Sequence, residues 1–239
     1  MARKGSWPSG SRTGSGARGA TVRVKTAARR TSSSTRWLER QLNDPYVREA
    51  KRQGYRSRSA FKLIELDDRF RFLKSGARVV DLGAAPGGWT QIAVERVGAK
   101  KRKGSVLGVD VLPIAPITGA TLMQRDFTDP SAPEAIAAAL GGPVDVVLSD
   151  MAAPATGHAA TDHVKIVALA EAAWHFARRV LAPGGAFVCK VYQGGAEGAL
   201  LQELKRDFAQ LRHAKPPASR SESAEVYLVA QGFRKSEQG

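Results

Sequence analysis

Short apolar runs recur between residues 78 and 191 at intervals too long for hairpins. They fall at 78–82, 106–111, 121–124, 144–149 and 186–191, with helical stretches between them. Nearly unbroken apolar strands alternating with helices predict a parallel, doubly wound sheet covered on both faces, an α/β fold of Rossmann-like type. The segment 225–230 alternates instead, which predicts a late strand, antiparallel to the others and near an edge. Ahead of the sheet, 44–54 and 57–70 read as two short basic helices, the second with Phe61, Ile64 and Leu66 on its apolar side. A longer helix is predicted over 162–181, and Trp174 and Phe176 on it are expected in the core. No internal repeat is present.

The first 36 residues break this pattern. They are rich in Gly, Ser, Thr and Arg, carry nine Lys or Arg, and precede the first acidic residue, Glu39. Such a segment predicts a disordered basic tail over 1–36, followed by one folded domain over 37–239. An acid-free, Arg- and Ser-rich start also resembles an organelle transit peptide, but its many glycines and lack of an apolar helical face argue against import.

Charge narrows the partner. With 37 Lys and Arg against 22 Asp and Glu, the chain carries a formal charge of +15, which suits a polyphosphate such as RNA. Two basic clusters stand out: Arg48, Lys51, Arg52, Arg56 and Arg58, then Lys100, Lys101, Arg102 and Lys103. RNA phosphates running between them would gain affinity without sequence choice. Cys189 is the single cysteine, so neither a disulfide framework nor a cysteine zinc cluster is possible, and a reducing compartment, the cytoplasm, is expected. No apolar run approaches the roughly 20 residues of a membrane helix. The four histidines show no ligand spacing, so no metal is expected. The chain is expected to act as a monomer.

The chemistry starts at VVDLGAAPGGW, residues 79–89. A buried strand ends near Asp81, a turn follows at Gly83, and Gly87 and Gly88 open a helix. Glycines let main chain approach a ligand, and the helix start offers free amides. A nicotinamide site requires G-x-G-x-x-G, whereas this loop has Ala85 at the middle glycine; a G-x-x-x-x-G-K-[ST] phosphate loop is also missing. Acids then recur at successive strand ends. Asp110 closes VLGVD, where a carboxylate can accept both ribose hydroxyls of a nucleoside. Asp126 follows in MQRDF, placed to accept an adenine amine, and an acidic neighbourhood favours a sulfonium donor. S-adenosylmethionine is therefore the expected cofactor.

Asp150 ends the fourth strand at the topological switch point. Lys190 lies within the apolar strand FVCKVYQG, where a lysine needs a partner. Its neighbour Cys189 must face the other way, which argues against a cysteine nucleophile in the same site. Lys62, in RSAFKL, reads alone as a solvated helix residue, and Glu225 alone as an edge-strand gatekeeper.

In this order, RSAFKL (58–63), DLGAAPGGW, SDMAAP, LAPGGAFVCKVYQG and AEVYLVA make residues 35–233 resemble the FtsJ/RrmJ family of ribosomal RNA 2′-O-ribose methyltransferases. The resemblance implies a Lys-Asp-Lys-Glu tetrad at Lys62, Asp150, Lys190 and Glu225, with Lys190 as proton acceptor. It implies cofactor contacts at Gly87, Trp89, Asp110, Asp126 and Asp150. It also implies a substrate: a uridine in the peptidyl-transferase region of 23S ribosomal RNA, methylated on the assembled large subunit. Departures are three extra residues at Lys100–Lys103, the long tail, and an AAPATG segment after Asp150 without the polar residue common there. Two ammonium groups held close disfavour each other's charge, while neighbouring carboxylates favour it. Rival readings are a methyltransferase for transfer RNA or another RNA, and a ribosome-assembly factor that binds RNA without turnover.

Overall fold

The structure, a computed structural model, describes residues 31–153, 156–194 and 198–234. Of the tail expected over 1–36, residues 1–30 lie outside these residues, as does part of the AAPATG segment. A helix, α1 (Ser32–Asn43), begins inside the stretch assigned to the tail, so the helical part of the chain starts before residue 37.

Two further helices lead into the sheet. In α2 (Pro45–Gln53) the Asp44 side chain caps the start by accepting from the Tyr46 N–H, Pro45 fills a first-turn position, and Gly54 ends the helix in the left-handed region. Then α3 (Ala60–Phe70) buries Leu63 and Leu66. The sheet begins with β1 (Arg78–Leu82) and continues through α4 (Gly88–Val97), a short 3-10 turn at Ala99–Lys101, β2 (Ser105–Asp110), β3 (Ala120–Gln124), α5 (Ala132–Leu140), β4 (Val144–Ser149), α6 (Ala159–Val180), β5 (Leu181–Tyr192), α7 (Gly198–Asp207), β6 (Phe208–Ala214) and β7 (Glu225–Phe233).

The seven strands are ordered β3-β2-β1-β4-β5-β7-β6. Five run parallel, as the apolar runs predict, and β7 is antiparallel to β5. β7 lies near the edge, as expected, one strand in. β6, absent from the sequence-based expectation, pairs with it and takes the edge. FAQLRHA is buried only at its two ends, so it lacks the apolar alternation that marks a strand. Charged side chains such as Arg212 suit an outermost position.

Strand parity divides the core into two layers. Val80, Leu82, Val147, Phe187, Cys189 and Leu228 face α5, α6 and α7, where Trp174 and Phe176 are 1% and 2% exposed. Val79, Leu148, Val188, Tyr227 and Val229 face α3 and α4. Trp174 packs against Phe187, Phe208 and Phe233, and truncating it would cost roughly 3–5 kcal/mol. The carboxyl ends of the parallel strands converge on one edge. There the Gly83 and Ala84 N–H groups donate to the Val109 carbonyl, the Asp150 N–H to Leu82, and the Arg125 N–H to Asp110.

Candidate active site

At that edge the loop after β1 needs its glycines for space. Gly83 has φ +78, and a Cβ there would lie 2.8 Å from the Met151 Cα. Gly87 has φ +111, and a Cβ would approach Ile117 to 2.7 Å and Arg56 to 3.1 Å. Gly83→Ala combines left-handed strain with backbone collision. It is expected to weaken cofactor binding about tenfold or more and to lower stability by about 1–3 kcal/mol, read by calorimetry and thermal unfolding.

Three carboxylates stand at or just beyond the carboxyl ends of β1, β2 and β3. Asp110 accepts from the Ala85 N–H at 2.8 Å and the Leu112 N–H at 2.8 Å, so it is already oriented at the strand end. Asp126 is exposed, with one oxygen taken by the Thr128 N–H and hydroxyl. Asp81 is fully buried and accepts from the Thr90 hydroxyl at 2.7 Å, while its other oxygen has no partner. Burial pushes its carboxyl up to about 7, and the nearby Asp150 and Asp110 add to the rise. A group with a raised folded-state value stabilises the protein fully only below its unfolded value. That contribution is lost as pH climbs toward about 7. Asp81→Asn is therefore expected to raise stability at pH 8 by on the order of 1–3 kcal/mol and to leave it nearly unchanged at pH 4, as read by denaturant unfolding. Carboxylates at neighbouring strand ends favour a cationic ligand there and oppose an anionic one.

Beside it, the four residues expected as a tetrad come together from α3, β4, β5 and β7. Lys62 Nζ donates to Glu225 Oε2 at 2.9 Å. Lys190 Nζ lies 3.1 Å from Asp150 Oδ1 and donates to the Asp150 carbonyl at 2.9 Å. Both lysines are buried, at 9% and 6% exposure, so Lys62 is no solvated helix residue. Burial alone would raise the Asp150 carboxyl. The Lys190 and Lys62 ammoniums, with hydrogen bonds from Tyr227 and Lys190, outweigh that and hold it below the usual range. Cys189 points into the opposite core layer, and burial pushes its thiol up.

Sequence reasoning missed Tyr227. Its hydroxyl donates to Asp150 Oδ1 at 2.9 Å, its ring lies 5.7 Å from Lys62 Nζ, and it sits opposite Lys190 in register. Period-two spacing from Glu225 puts it on the tetrad's face and was the available signal. Trp89 is 3% exposed, packs on Tyr227 at 5.5 Å between ring centroids, and donates to the Ser59 carbonyl. It thus stands beneath the tetrad. The first basic cluster is also redistributed. Arg56 donates to the carbonyls of Pro86, Ala115 and Pro116, and Arg58 pairs with Asp44 and donates to the Ala218 carbonyl. Arg48, Lys51 and Arg52 stay exposed. Lys100–Lys103 lie where β2 begins, at the sheet edge opposite the site, so no phosphate path over the tetrad joins the two clusters. A helix leaving the carboxyl edge returns the chain to the amino edge, which put these lysines there.

Among the described residues, no group of three or more His, Cys, Asp or Glu is placed to hold a metal ion, and no helix is long and apolar enough to cross a membrane.

Residues 55–233 match the family model described as FtsJ-like methyltransferase. A protein of Paramagnetospirillum magneticum named ribosomal RNA large subunit methyltransferase E is 62% identical, with 99% of each chain covered. One of the same name from Rhodospirillum rubrum is 62% identical over 97% of this chain and 86% of its own. A crystal structure of a ribosomal RNA methyltransferase from Plasmodium falciparum superposes with a TM-score of 0.67 at 32% identity, covering 75% of this chain and 98% of that one. With three quarters of its length under the family model and these relatives along the whole of it, the chain belongs to the FtsJ-like methyltransferase family.

Proposed function

We propose that this methyltransferase moves a methyl group from S-adenosylmethionine to the 2′-hydroxyl of a uridine in 23S ribosomal RNA of the large subunit, with Lys190 as proton acceptor. The observation that carries the reading is the pairing of two buried lysines with two carboxylates next to the glycine turn that follows β1. Relatives with the printed name ribosomal RNA large subunit methyltransferase E, at 56–62% identity, supply the substrate class.

Gly83 and Gly87 would admit the cofactor to the backbone, Asp110 would hold its ribose, and Asp126 would face its adenine. Asp150 would stand between cofactor and substrate, while Trp89, expected as a cofactor contact, is buried against Tyr227 and would act through it. When bound, S-adenosylmethionine supplies an activated methyl on a sulfonium, so the remaining work is positioning a hydroxyl and removing its proton. Lys190 in its amine form takes the proton from the ribose hydroxyl. Asp150 and Tyr227 hold Lys190 in place from one side. Lys62 and Glu225, across the Tyr227 ring, frame the ribose.

The test is methyl transfer from labelled S-adenosylmethionine to undermethylated large ribosomal subunits, with the product mapped by alkali resistance of the ribose linkage. One resistant linkage at a uridine is expected. Label on transfer RNA alone would overturn the substrate, and no label on any RNA would favour an assembly factor without turnover.

A further inference from the structure

The tight turn between α4 and β2 carries four cations in succession, Lys100, Lys101, Arg102 and Lys103, all exposed. Exposed Lys74 precedes β1 and joins them: the Lys74 carbonyl accepts from the Ala77 N–H, the Ala77 carbonyl accepts from the Ser105 N–H, and a Cβ at Gly76 would lie 3.5 Å from the Lys103 carbonyl. On the other flank, a Cβ at Gly119, just before β3, would lie 3.0 Å from the Lys100 nitrogen. The five cations thus cap the starts of three neighbouring strands. None of them has an ion pair among the described residues.

Local structure does not account for this concentration. The C-terminal dipole of α4 favours a cation or two within its last turn, not four consecutive ones after it. Arg102 holds the left-handed region at φ 55, where glycine or asparagine is easier. Nothing in the turn needs arginine there. The charges also stand far from the chemistry, since β2 separates them from Asp110 by roughly 20 Å. A nucleotide in the cleft cannot reach them, whereas a folded RNA can touch both edges of the sheet.

We propose that Lys74 and Lys100–Lys103 form a second RNA-docking surface, which grips the phosphate backbone of a segment of the folded RNA substrate distinct from the one carrying the methylated ribose. This rests on the reading of the substrate as structured ribosomal RNA. Such a surface confers affinity for the large folded substrate and none for a short strand that fills only the cleft.

The full chain carrying Lys100→Gln, Lys101→Gln, Arg102→Asn and Lys103→Gln together tests it, with asparagine chosen to suit the left-handed position. Three binding probes are compared across a salt series: protein-free large-subunit RNA, assembled large subunits and a single-stranded oligoribonucleotide of about ten residues, a length within the site sizes of single-strand binders. Lys205→Gln, Arg206→Gln, Arg212→Gln and Arg234→Gln together, on exposed residues of α7 and β6 and just after β7, remove an equal number of charges and control for net charge. The expected result is affinity for both large substrates reduced about tenfold or more, with a salt dependence shallower by about one contact per lost cation. Oligonucleotide affinity, S-adenosylmethionine affinity and kcat on subunits should not change. Equal losses on the oligonucleotide and the large RNAs, or an equal loss in the control, would mean a general field and overturn docking. A loss on assembled subunits alone would assign the surface to a ribosomal protein and also overturn it. Failure of the wild-type chain to methylate subunits would refute the substrate reading, while binding to folded RNA would still judge the surface.

Discussion

Lys190→Ala is expected to lower methyl transfer by about 10²–10⁴-fold, the usual worth of a positioned general base. S-adenosylmethionine affinity should remain, because the contacts of the Lys190 ammonium are to Asp150 and not to the glycine loop. Alanine removes two contacts that hold the end of β4, to Asp150 Oδ1 and to the Asp150 carbonyl. Lys190→Arg is therefore the sharper companion. Arginine keeps a permanent positive charge beside Asp150 but does not give up its proton at working pH. If Lys190 only orients Asp150, the arginine variant should recover much of the turnover. If it accepts the proton, arginine should be as inactive as alanine while folded and cofactor-bound. Single-turnover transfer on subunits, with binding measured separately, distinguishes the two.

Asp150→Ala should be the most damaging change to both stability and rate. Lys190 would keep its backbone partner but lose its counter-charge in a site where it is 6% exposed, and the Tyr227 hydroxyl would lose its acceptor. Breaking one side of a buried pair costs about 3–5 kcal/mol, equivalent to a fall in Tm of roughly 6–20 °C for a chain of this size. The pH dependence has a definite sign. The Asp150 carboxyl is held low in the folded protein, so its stabilisation is present above the ordinary carboxylate value and disappears as pH falls through the folded one. The gap between wild type and Asp150→Ala should accordingly be widest at neutral pH and close in acid; it is opposite in sign to that of Asp81→Asn, where the variant is the more stable protein at high pH. Asp150→Asn keeps an acceptor for Tyr227 and should lie between the two in stability, yet remain poorly active. Thermal unfolding of the three proteins from pH 3 to pH 8 separates these outcomes; a constant gap would mean that charge at Asp150 contributes nothing.

Much of this architecture was readable before any coordinates. The five parallel strands announce themselves because a strand covered on both faces must be apolar throughout. Gly83, Asp81 and Asp110 are legible because a tight turn and a strand end are local events. β6 was not, since FAQLRHA owes its place to pairing with β7 and not to its own pattern. The late strand was expected near an edge and lies one strand inside it, but only pairing shows that β5 and β6 are the strands that flank it.

The tetrad divides the same way. Its four members could be named from motifs, but nothing local says that Lys62 meets Glu225 across 163 residues, or that Asp150 is shared by Lys190 and Tyr227. Arg56 and Arg58 looked like phosphate ligands, and the structure spends them on backbone carbonyls. Lys100–Lys103 looked like part of the same surface, and the return of α4 carries them to the far edge. What the sequence by itself determined were properties set within a turn or a period: strand and helix identity, the glycine loop, strand-end acids and net charge. Tertiary structure alone decided which charges face one another and on which edge, because those depend on register, crossover direction and distance through space between residues remote along the chain.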